Sequence, residues 1–240
     1  MLISAYGRPP AGLGSKSSDT DLVSDADRGA ERAVRDLLAL ERPDDGLLAE
    51  EGSRSEAASG RRWIVDPLDG TINFLYGFPA WGVSVALEDA EGVAVGVVLD
   101  AVRDECFMAE RGRGARLRDA DGEVAPLGVG ARRELGRALV ATGFSYEPAR
   151  RAVQAEVVRT ILPRVRDIRR AGAAALDLSW LAAGRVDAYY ERGLNPWDWA
   201  AGRLLVEEAG GTILDLDGDP HGLIAAATPE LLAELAELVP

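Results

Sequence analysis

The sequence predicts an α+β protein in which layers of helix and sheet are stacked on one another. Three observations indicate this class. A helical pattern lies near the N-terminus, short strands separated by turns fill most of the first half, and strands alternate with helices in the second half. The alternation implies a second, mixed layer, because each element has to bury its apolar face against a neighbour.

The composition indicates a globular protein without a basic binding surface. The chain has 240 residues, 47% hydrophobic content and a net charge of −13, which argues against a nucleic-acid or anionic-membrane partner. No apolar run approaches a membrane span and the first residues lack a signal-peptide pattern, so we expect a cytoplasmic protein. A single cysteine, Cys106, and a single histidine, His221, leave carboxylates and hydroxyls to carry the chemistry.

The first half is predicted to form one helix followed by a meandering sheet. Ser24 or Asp25 is placed to cap a helix that runs to about Leu40, because apolar residues recur there near helical spacing. A strand-like piece then ends in Glu50 and Glu51, and a polar loop follows. We expect an antiparallel hairpin and three further strands, at residues 81–87 with 93–99, 105–109, 115–117 and 124–127.

The second half alternates between the two kinds of element. Its strands are predicted at residues 138–142, 186–190, 211–215 and 223–227. Its helices are predicted at residues 148–162, 173–183, 196–209 and 229–238. Pro163 marks the end of the first of these helices, and Thr228 followed by Pro229 marks the start of the last.

One stretch delivers two carboxylates to a turn. Trp63 and its neighbours suit a buried strand, and Pro67 and Gly70 indicate that a turn follows Asp66 and Asp69. Carboxylates at the end of a buried strand are costly unless they are paired, and Mg²⁺ is a natural partner for oxygen ligands. The alternative is a turn in which both aspartates only cap backbone N–H groups. The stretch by itself leaves both interpretations open.

Further acids at element ends have the same two interpretations. Asp198 follows Trp197 in the first turn of a predicted helix, where a carboxylate can cap backbone N–H groups and interact with the helix dipole. Glu50 and Glu51 could be solvated loop acids, and Glu191 could be a strand-end acid that faces solvent. Each acid taken singly has an ordinary explanation.

Together, these segments resemble the inositol monophosphatase family of Mg²⁺-dependent, typically lithium-sensitive sugar and polyol phosphatases. The resemblance extends over nearly all of the chain from Lys16 onward and implies the αβαβα sandwich of the sugar-phosphatase type. The segments that carry it are Lys16 to Asp27, Glu50-Glu51, Asp66-Pro-Leu-Asp-Gly-Thr-Ile-Asn-Phe74, Gly172-Ala-Ala-Ala175, Asp187-Ala-Tyr-Tyr-Glu191 and Trp197-Asp-Trp-Ala-Ala-Gly202.

The resemblance implies a metal site and a set of catalytic roles. Two or three Mg²⁺ ions would be held by Glu50, Asp66, the carbonyl oxygen of Leu68, Asp69 and Asp198, with Asp66 as the bridge. Glu50 and Thr71 would orient and deprotonate the attacking water. Asp27 would lie behind Thr71 and fix its hydroxyl group.

The resemblance also implies how a phosphate ester would bind. Gly70 and Thr71 would offer backbone N–H groups to the phosphate. Glu191 would accept substrate hydroxyls, with Asp198 close by, and Ala173 would help to shape the pocket, since it stands where many relatives have serine. Inositol 1-phosphate is the first expected substrate, followed by histidinol phosphate, then fructose 1,6-bisphosphate and 3′-phosphoadenosine 5′-phosphate. A partner-binding protein that retains the fold without activity is the alternative outside enzymology.

The expected organisation is one domain over residues 1–240, with a metal-site half at about 1–132 and a substrate-side half at about 133–240. Members of the family generally have a long helix before the segment that begins at Lys16. Only fifteen residues precede Lys16 here, so we expect a truncated N-terminal helix. Many members are dimers, which leaves a homodimer open. The expected ligand is a small phosphate ester.

Overall fold

A computed structural model describes residues 2–7, 12–15, 22–218 and 220–240. The segment from Lys16 to Asp21, which carries part of the resemblance, lies outside the described residues. Within the described part, the α-helices are α1 (Leu2–Ala5), α2 (Asp25–Glu41), α3 (Thr71–Tyr76), α4 (Pro148–Ile161), α5 (Ala174–Ala182), α6 (Pro196–Glu208) and α7 (Pro229–Ala236). None of these helices combines the length and the apolar character needed to cross a membrane.

The strands fall into two large sheets and one small pair. The small pair is β1 (Gly14–Ser15) and β2 (Leu22–Val23). The strands of the first large sheet are β3 (Gly46–Ala49), β4 (Arg54–Ser55), β5 (Arg62–Asp69), β6 (Gly82–Asp89), β7 (Gly92–Asp100), β8 (Glu105–Glu110), β9 (Ala115–Arg118) and β10 (Val124–Pro126). Those of the second are β11 (Leu139–Thr142), β12 (Asp167–Arg169), β13 (Ala188–Arg192), β14 (Thr212–Leu216) and β15 (Gly222–Ala226).

The first large sheet is a meander with one parallel pair. Its order is β10-β9-β8-β7-β6-β5-β3-β4, and only β3 and β5 run parallel, with Leu48 opposite Ile64. The parallel pair matters for the site because β3 and β5 end on the same side of the sheet. Glu50, which directly follows β3, donates its backbone N–H to the carbonyl oxygen of Val65 at 3.2 Å. The sheet therefore places the end of β3 beside the end of β5.

The second large sheet is mixed. Its order is β12-β11-β13-β15-β14, with β11 parallel to both of its neighbours and β15 antiparallel to β13 and β14. Alternate residues of β13 face different cores. Tyr189 packs into the core that is shared with the first sheet, whereas Tyr190 packs into the core on the other face.

The layers follow from where the apolar side chains are buried. Between the sheets, α5 and α6 pack Leu178 and Leu205 into one core with Phe107 of the first sheet. On the outer face of the first sheet, α2 packs Val34 against Val65. On the outer face of the second sheet, α4 and α7 bury their apolar residues in another core. The order of layers is helix, sheet, helix, sheet and helix, which is the αβαβα sandwich.

Most of the predicted elements are present, with small shifts at their ends. Ser24 caps α2, with Asp27 completing a capping box, and Thr228 caps α7 through the N–H of Leu231 at 3.3 Å. The predicted hairpin is β6 and β7. The strand before Glu191 is predicted to end at Tyr190, but β13 runs on to Arg192 because its pairing with β15 continues that far.

Three features differ from the predicted elements. The polar loop after Glu51 contains the short strand β4, which pairs antiparallel with β3. The strand β12 is absent from the prediction, because three exposed or half-buried residues give no apolar pattern. The strand β5 continues through Pro67 to Asp69, with a shift of register between Asp66 and Asp69. The last strand of the first sheet ends at Pro126 and the first strand of the second sheet begins at Leu139.

Candidate active site

The turn after β5 is built so that its carboxylates point into a cavity. Pro67 has no N–H to pair, and Asp66 Oδ1 accepts the N–H of Leu68 at 2.9 Å across the irregular end of the strand. Gly70 has a φ of +86°, and a Cβ atom there would lie 2.9 Å from the carbonyl oxygen of Ala80. Only glycine fits this position without strain. The chain can then enter α3 directly at Thr71.

The structure places Asp27 behind Thr71, within hydrogen-bond distance of its hydroxyl group. The Thr71 hydroxyl donates to Asp27 Oδ1 at 2.9 Å, and the carbonyl oxygen of Leu68 is a second acceptor at 3.2 Å. The other oxygen of Asp27 accepts the N–H of Ser24 at 2.8 Å within the capping box of α2. Asp27 is fully buried. The hydrogen bond from Thr71 to Asp27 thus joins the first turn of α3 to the first turn of α2.

Glu50 sits on a loop that a buried glutamate holds in place. The two carboxylate oxygens of Glu31 accept the N–H of Glu51 at 2.6 Å and the N–H of Ser53 at 2.9 Å. Glu31 projects from α2 and is almost fully buried. Sequence reasoning missed this residue. An acid beside Ala30 on the apolar face of a predicted helix was the available signal.

The second half contributes Asp198 and Glu191. Asp198 is the third residue of α6, and its Oδ2 accepts the N–H of Asn195 at 2.6 Å in a capping box. The capping role suggested by the sequence is therefore present. Glu191 projects from β13, and its Oε2 accepts the hydroxyl proton of Tyr189 at 2.7 Å. Tyr189 was also missed, because a tyrosine in an apolar strand pattern is typical of a core position.

All of the predicted site residues except Asp27 line one cavity of about 530 Å³. The first wall of this cavity comes from the first half of the chain and consists of Glu50, Asp66, Leu68, Asp69, Gly70 and Thr71. The second wall comes from the second half and consists of residues 143–148, Arg150, Arg170, residues 172–174, residues 191–195 and Asp198. Asp69 Oδ2 joins the walls by accepting the N–H of Ala175 at 2.8 Å. Cys106 and His221 lie outside the lining.

Burial and mutual repulsion raise the pKa values of the carboxyl groups that line the cavity. Burial, reinforced by the charges of Glu50 and Asp69, raises the pKa of Asp66 well above its usual value. Burial raises the pKa of Asp69 to about 7 and that of Glu191 to about 7. Burial and the charge of Glu50 raise the pKa of Asp198 well above its usual value. A bound cation would relieve this repulsion.

The donor set fits a hard divalent cation. Within the described part of the chain, no three Asp, Glu, His or Cys side chains are arranged so that together they could hold a metal ion. Asp66, Asp69 and Asp198 each direct one oxygen to a backbone N–H group. The remaining donors of the first wall are carboxylate and carbonyl oxygens, with no thiolate or imidazole, and such a set favours Mg²⁺ over softer metals.

The layered sandwich has the fold of the sugar phosphatases, and membership of their family makes this chain a phosphoric monoester hydrolase. The chain belongs to the inositol monophosphatase family, since the sequence model of that family matches residues 2–240. Dependence on Mg²⁺ and sensitivity to lithium are general properties of this family.

Individual relatives agree with this assignment. Inositol-1-monophosphatase SuhB of Mycobacterium tuberculosis is 42% identical over 241 residues, which cover 97% of this chain and 83% of the relative. The Nus factor SuhB of Pasteurella multocida is 38% identical over 224 residues, which cover 91% of this chain and 82% of the relative. The crystal structure of extragenic suppressor protein suhB from Bartonella henselae matches with a TM-score of 0.89 at 38% identity, covering 99% of this chain and 91% of that chain.

Proposed function

We propose that this protein hydrolyses a small polyol or sugar phosphate to the alcohol and inorganic phosphate, with inositol 1-phosphate as the first substrate. One observation carries the proposal. A single cavity brings Glu50, Asp66 and Asp69 from the first half of the chain together with Glu191 and Asp198 from the second. The relatives named inositol-1-monophosphatase support the choice of substrate.

In this proposal, the resident metal would be Mg²⁺, as two or three ions held by Glu50, Asp66, the carbonyl oxygen of Leu68, Asp69 and Asp198. When bound, Mg²⁺ supplies a water of lowered pKa and neutralises charge on the phosphate oxygens. The buried carboxyl groups of Asp66, Asp69 and Asp198, whose pKa values are raised, would be ionised when they hold the metal. Among the residues that the structure describes, the first wall has no basic side chain to perform that neutralisation.

The chain's own residues would position the attacking water and take its proton. Because the Thr71 hydroxyl donates its hydrogen to Asp27 Oδ1, the lone pairs of Thr71 Oγ1 remain to accept a hydrogen bond from water. The carboxylate of Glu50 would then receive the water's other proton as attack begins. Glu31 holds the loop that follows Glu50 and so limits its movement.

The substrate would lie between the two walls. The backbone N–H groups of Gly70 and Thr71, in a turn with positive φ at Gly70, would bind phosphate oxygens. Glu191, held by Tyr189, would accept hydrogen bonds from neighbouring substrate hydroxyls. Ala173 has a methyl side chain in the lining and leaves room beside the ester.

Phosphate release with and without Mg²⁺ tests the proposal. The panel contains inositol 1-phosphate, histidinol phosphate, fructose 1,6-bisphosphate and 3′-phosphoadenosine 5′-phosphate, so it also ranks the alternatives.

Asp66→Asn and Asp198→Asn should each lower kcat by about 10³-fold or more, because each removes a charge that holds the metal. Asp121→Asn removes an equal charge from an exposed turn and should behave like the wild type. A wild-type protein that releases no phosphate from any ester with Mg²⁺ contradicts the proposal.

A second role as a partner-binding protein is suggested by the relatives named Nus factor SuhB. Such a role would use the outer surface of the fold and would not need the metal site. The variant Asp66→Asn separates the two roles: it should abolish turnover while leaving binding to a partner intact.

A homodimer is part of this proposal as well, and sedimentation of the purified chain measures it directly.

A further inference from the structure

A groove behind the first wall is lined by arginines, although the chain as a whole has a net charge of −13. The groove has a volume of about 580 Å³, and none of the described residues that line it also lines the cavity of the candidate active site. Four arginines and two acids take part in the lining: Arg28, Arg32, Arg35 and Arg54, with Glu31 and Glu51. The groove therefore concentrates positive charge on an acidic chain.

Three of the arginines form a row along α2. Arg28, Arg32 and Arg35 are spaced by four and then three residues, so they lie on one face of the helix. At the rise of an α-helix, the row is about 10 Å long. Asp25 and Asp36 stand at its two ends, in exposed ion pairs with Arg28 at 2.9 Å and with Arg35 at 2.8 Å. Exposed pairs contribute little to stability, so an anion can replace them.

Arg32 and Arg54 are the two arginines of the groove whose charge is available. Both side chains are exposed, and neither forms a hydrogen bond or an ion pair with any residue that the structure describes. Arg32 projects from α2, whereas Arg54 begins the strand β4. A guanidinium group presents a planar fork of N–H donors that matches the oxygens of a phosphate group. An anion bound by both arginines would bridge the helix and the strand.

The groove also contacts the loop that carries Glu50, which consists of residues 50–53. Glu31 lines the groove and accepts two backbone N–H groups of this loop, at 2.6 Å and 2.9 Å. Arg54 directly follows the loop in the sequence. An anion that joined Arg32 to Arg54 would tie this loop to the helix that Glu31 already joins to it. Occupancy of the groove would therefore restrict the movement of Glu50.

We propose that this groove binds a small anion with two or three phosphate groups in a row, and that binding steadies the loop of Glu50. Arg32 and Arg54 each bind a phosphate group, and the row along α2 accommodates the chain between them. A long polyanion such as nucleic acid would be repelled by Asp25 and Asp36 at the ends of the row. Binding is independent of the proposed function, whereas its effect on turnover rests on that function.

The alternative is that these arginines only offset the negative charge of the chain. In that case each exposed arginine attracts anions to the same extent, and removal of any one of them weakens binding equally. A site built from Arg32 and Arg54 responds to those two residues and not to an exposed arginine on another layer. The two interpretations therefore differ in which variants lose affinity.

Calorimetric titration of the full chain with inorganic triphosphate, after removal of metal and chelator, measures binding. Without metal, the acids of the first wall repel the anion from the catalytic cavity. The wild type should bind one triphosphate per chain. Arg32→Gln and Arg54→Gln should each weaken binding about tenfold, the loss of one charge-assisted contact. Both variants should fold normally, because both side chains are exposed.

Two controls accompany this titration. Arg159→Gln should bind like the wild type, because Arg159 lies on the exposed side of α4, outside the groove, and pairs with Glu156 at 2.7 Å. ATP presents the same phosphate chain on a nucleoside, so a parallel titration shows whether the chain is bound free or as part of a nucleotide. In both cases Arg32→Gln and Arg54→Gln should lose affinity.

Amide hydrogen exchange measures the effect on the loop. Saturating triphosphate should slow the exchange of the N–H groups of Glu51 and Ser53 about tenfold in the wild type, because the loop opens less often. The same concentration should have little effect in Arg54→Gln, in which the anion no longer reaches the strand.

Three outcomes overturn the proposal. Absence of binding, or equal weakening by Arg32→Gln and Arg159→Gln, rejects the groove as a site. Weakening by Arg170→Gln alone places the anion in the catalytic cavity and also rejects the groove. Binding with unchanged exchange at Glu51 and Ser53 rejects the effect on the loop. None of these measurements needs turnover, so their failure leaves the proposed function standing, and a protein without phosphatase activity leaves the groove standing.

Discussion

The two walls of the cavity are built in different ways. The first wall comes from one continuous turn, Asp66 to Thr71, and from Glu50 on the parallel neighbour of β5. The second wall is assembled from separate segments of the second half, which follow β11, β12 and β13 and begin α5 and α6. The first wall contains buried acids that the proposal assigns to a metal, whereas the second mixes acids, arginines and aromatic rings. The difference suggests that the first wall sets the reaction and the second sets the substrate.

This comparison makes a kinetic prediction. Variants of the first wall should lower kcat, because they act on the water and the metal. Variants of the second wall should raise KM, because they act on the parts of the substrate that do not react. The following four predictions test the division, in order of decreasing effect.

The largest effect is expected at Thr71. Replacing it by valine removes the hydroxyl that Asp27 orients and should lower kcat by about 10²-fold or more, with KM nearly unchanged. Thr71→Ser keeps the hydroxyl and should retain most of the activity. Thr160→Val, on the exposed side of α4, is the matched control. A large rise in KM with kcat intact would assign Thr71 to substrate binding and break the division.

An intermediate effect is expected at Glu31, which supports the first wall from behind. Glu31→Ala leaves the N–H groups of Glu51 and Ser53 without their acceptor, which should cost about 2 to 4 kcal/mol in the free energy of unfolding. Release of the loop should lower kcat about tenfold, since Glu50 loses its fixed position. Denaturant unfolding and steady-state kinetics measure both quantities.

Two controls sharpen the prediction for Glu31. Glu31→Gln keeps one acceptor oxygen and should fall between the wild type and the alanine variant. Glu41→Ala, on the exposed end of the same helix, should change neither stability nor kcat. Loss of stability in Glu31→Ala without any loss of kcat would show that the loop does not control Glu50.

A smaller effect is expected at Tyr189 in the second half. Tyr189→Phe removes the hydrogen bond to Glu191 and should raise the KM for polyol phosphates about threefold to tenfold, with a smaller change in kcat. Tyr190→Phe is the control, because Tyr190 is the next residue of the same strand but faces the other core. Identical kinetics for the two variants would mean that Tyr189 does not position Glu191.

The smallest effect concerns stability and pH in metal-free protein. The carboxyl groups of Asp69 and Glu191 have pKa values of about 7 in the folded chain, against about 4 when unfolded. Between these values the folded state binds more protons than the unfolded state, so stability falls as pH rises towards 7 and then levels off. With a chelator present, Tm should drop by roughly 10 °C or more between about pH 5 and about pH 8.

Mg²⁺ should reverse that trend. The metal binds the ionised carboxylates, so its addition should raise Tm more at about pH 8 than at about pH 5. Calorimetric melting at both pH values, with and without Mg²⁺, measures the difference. An equal stabilisation at both pH values would contradict the assignment of Asp69 as a metal ligand.

The predictability of each site residue depends on whether its contacts are local in sequence. Asp66, Asp69, Gly70 and Thr71 are neighbours in sequence, and the turn chemistry of proline and glycine indicates directly how they are arranged. Glu31 and Tyr189 could not be recognised in this way. Their partners are set by folding, because Glu31 reaches a loop from a neighbouring helix and Tyr189 reaches along its own strand.

The sequence by itself determined the layered α+β class, most of the helices and strands, and the family through its motifs, since local periodicity and turn residues carry that information. The tertiary structure brings Asp198 and Glu191 into one cavity with Asp66, and it alone revealed that Arg170 lies in the second wall. These contacts depend on the packing of α5 and α6 between two sheets. Such packing joins residues more than a hundred positions apart, and no local pattern records it.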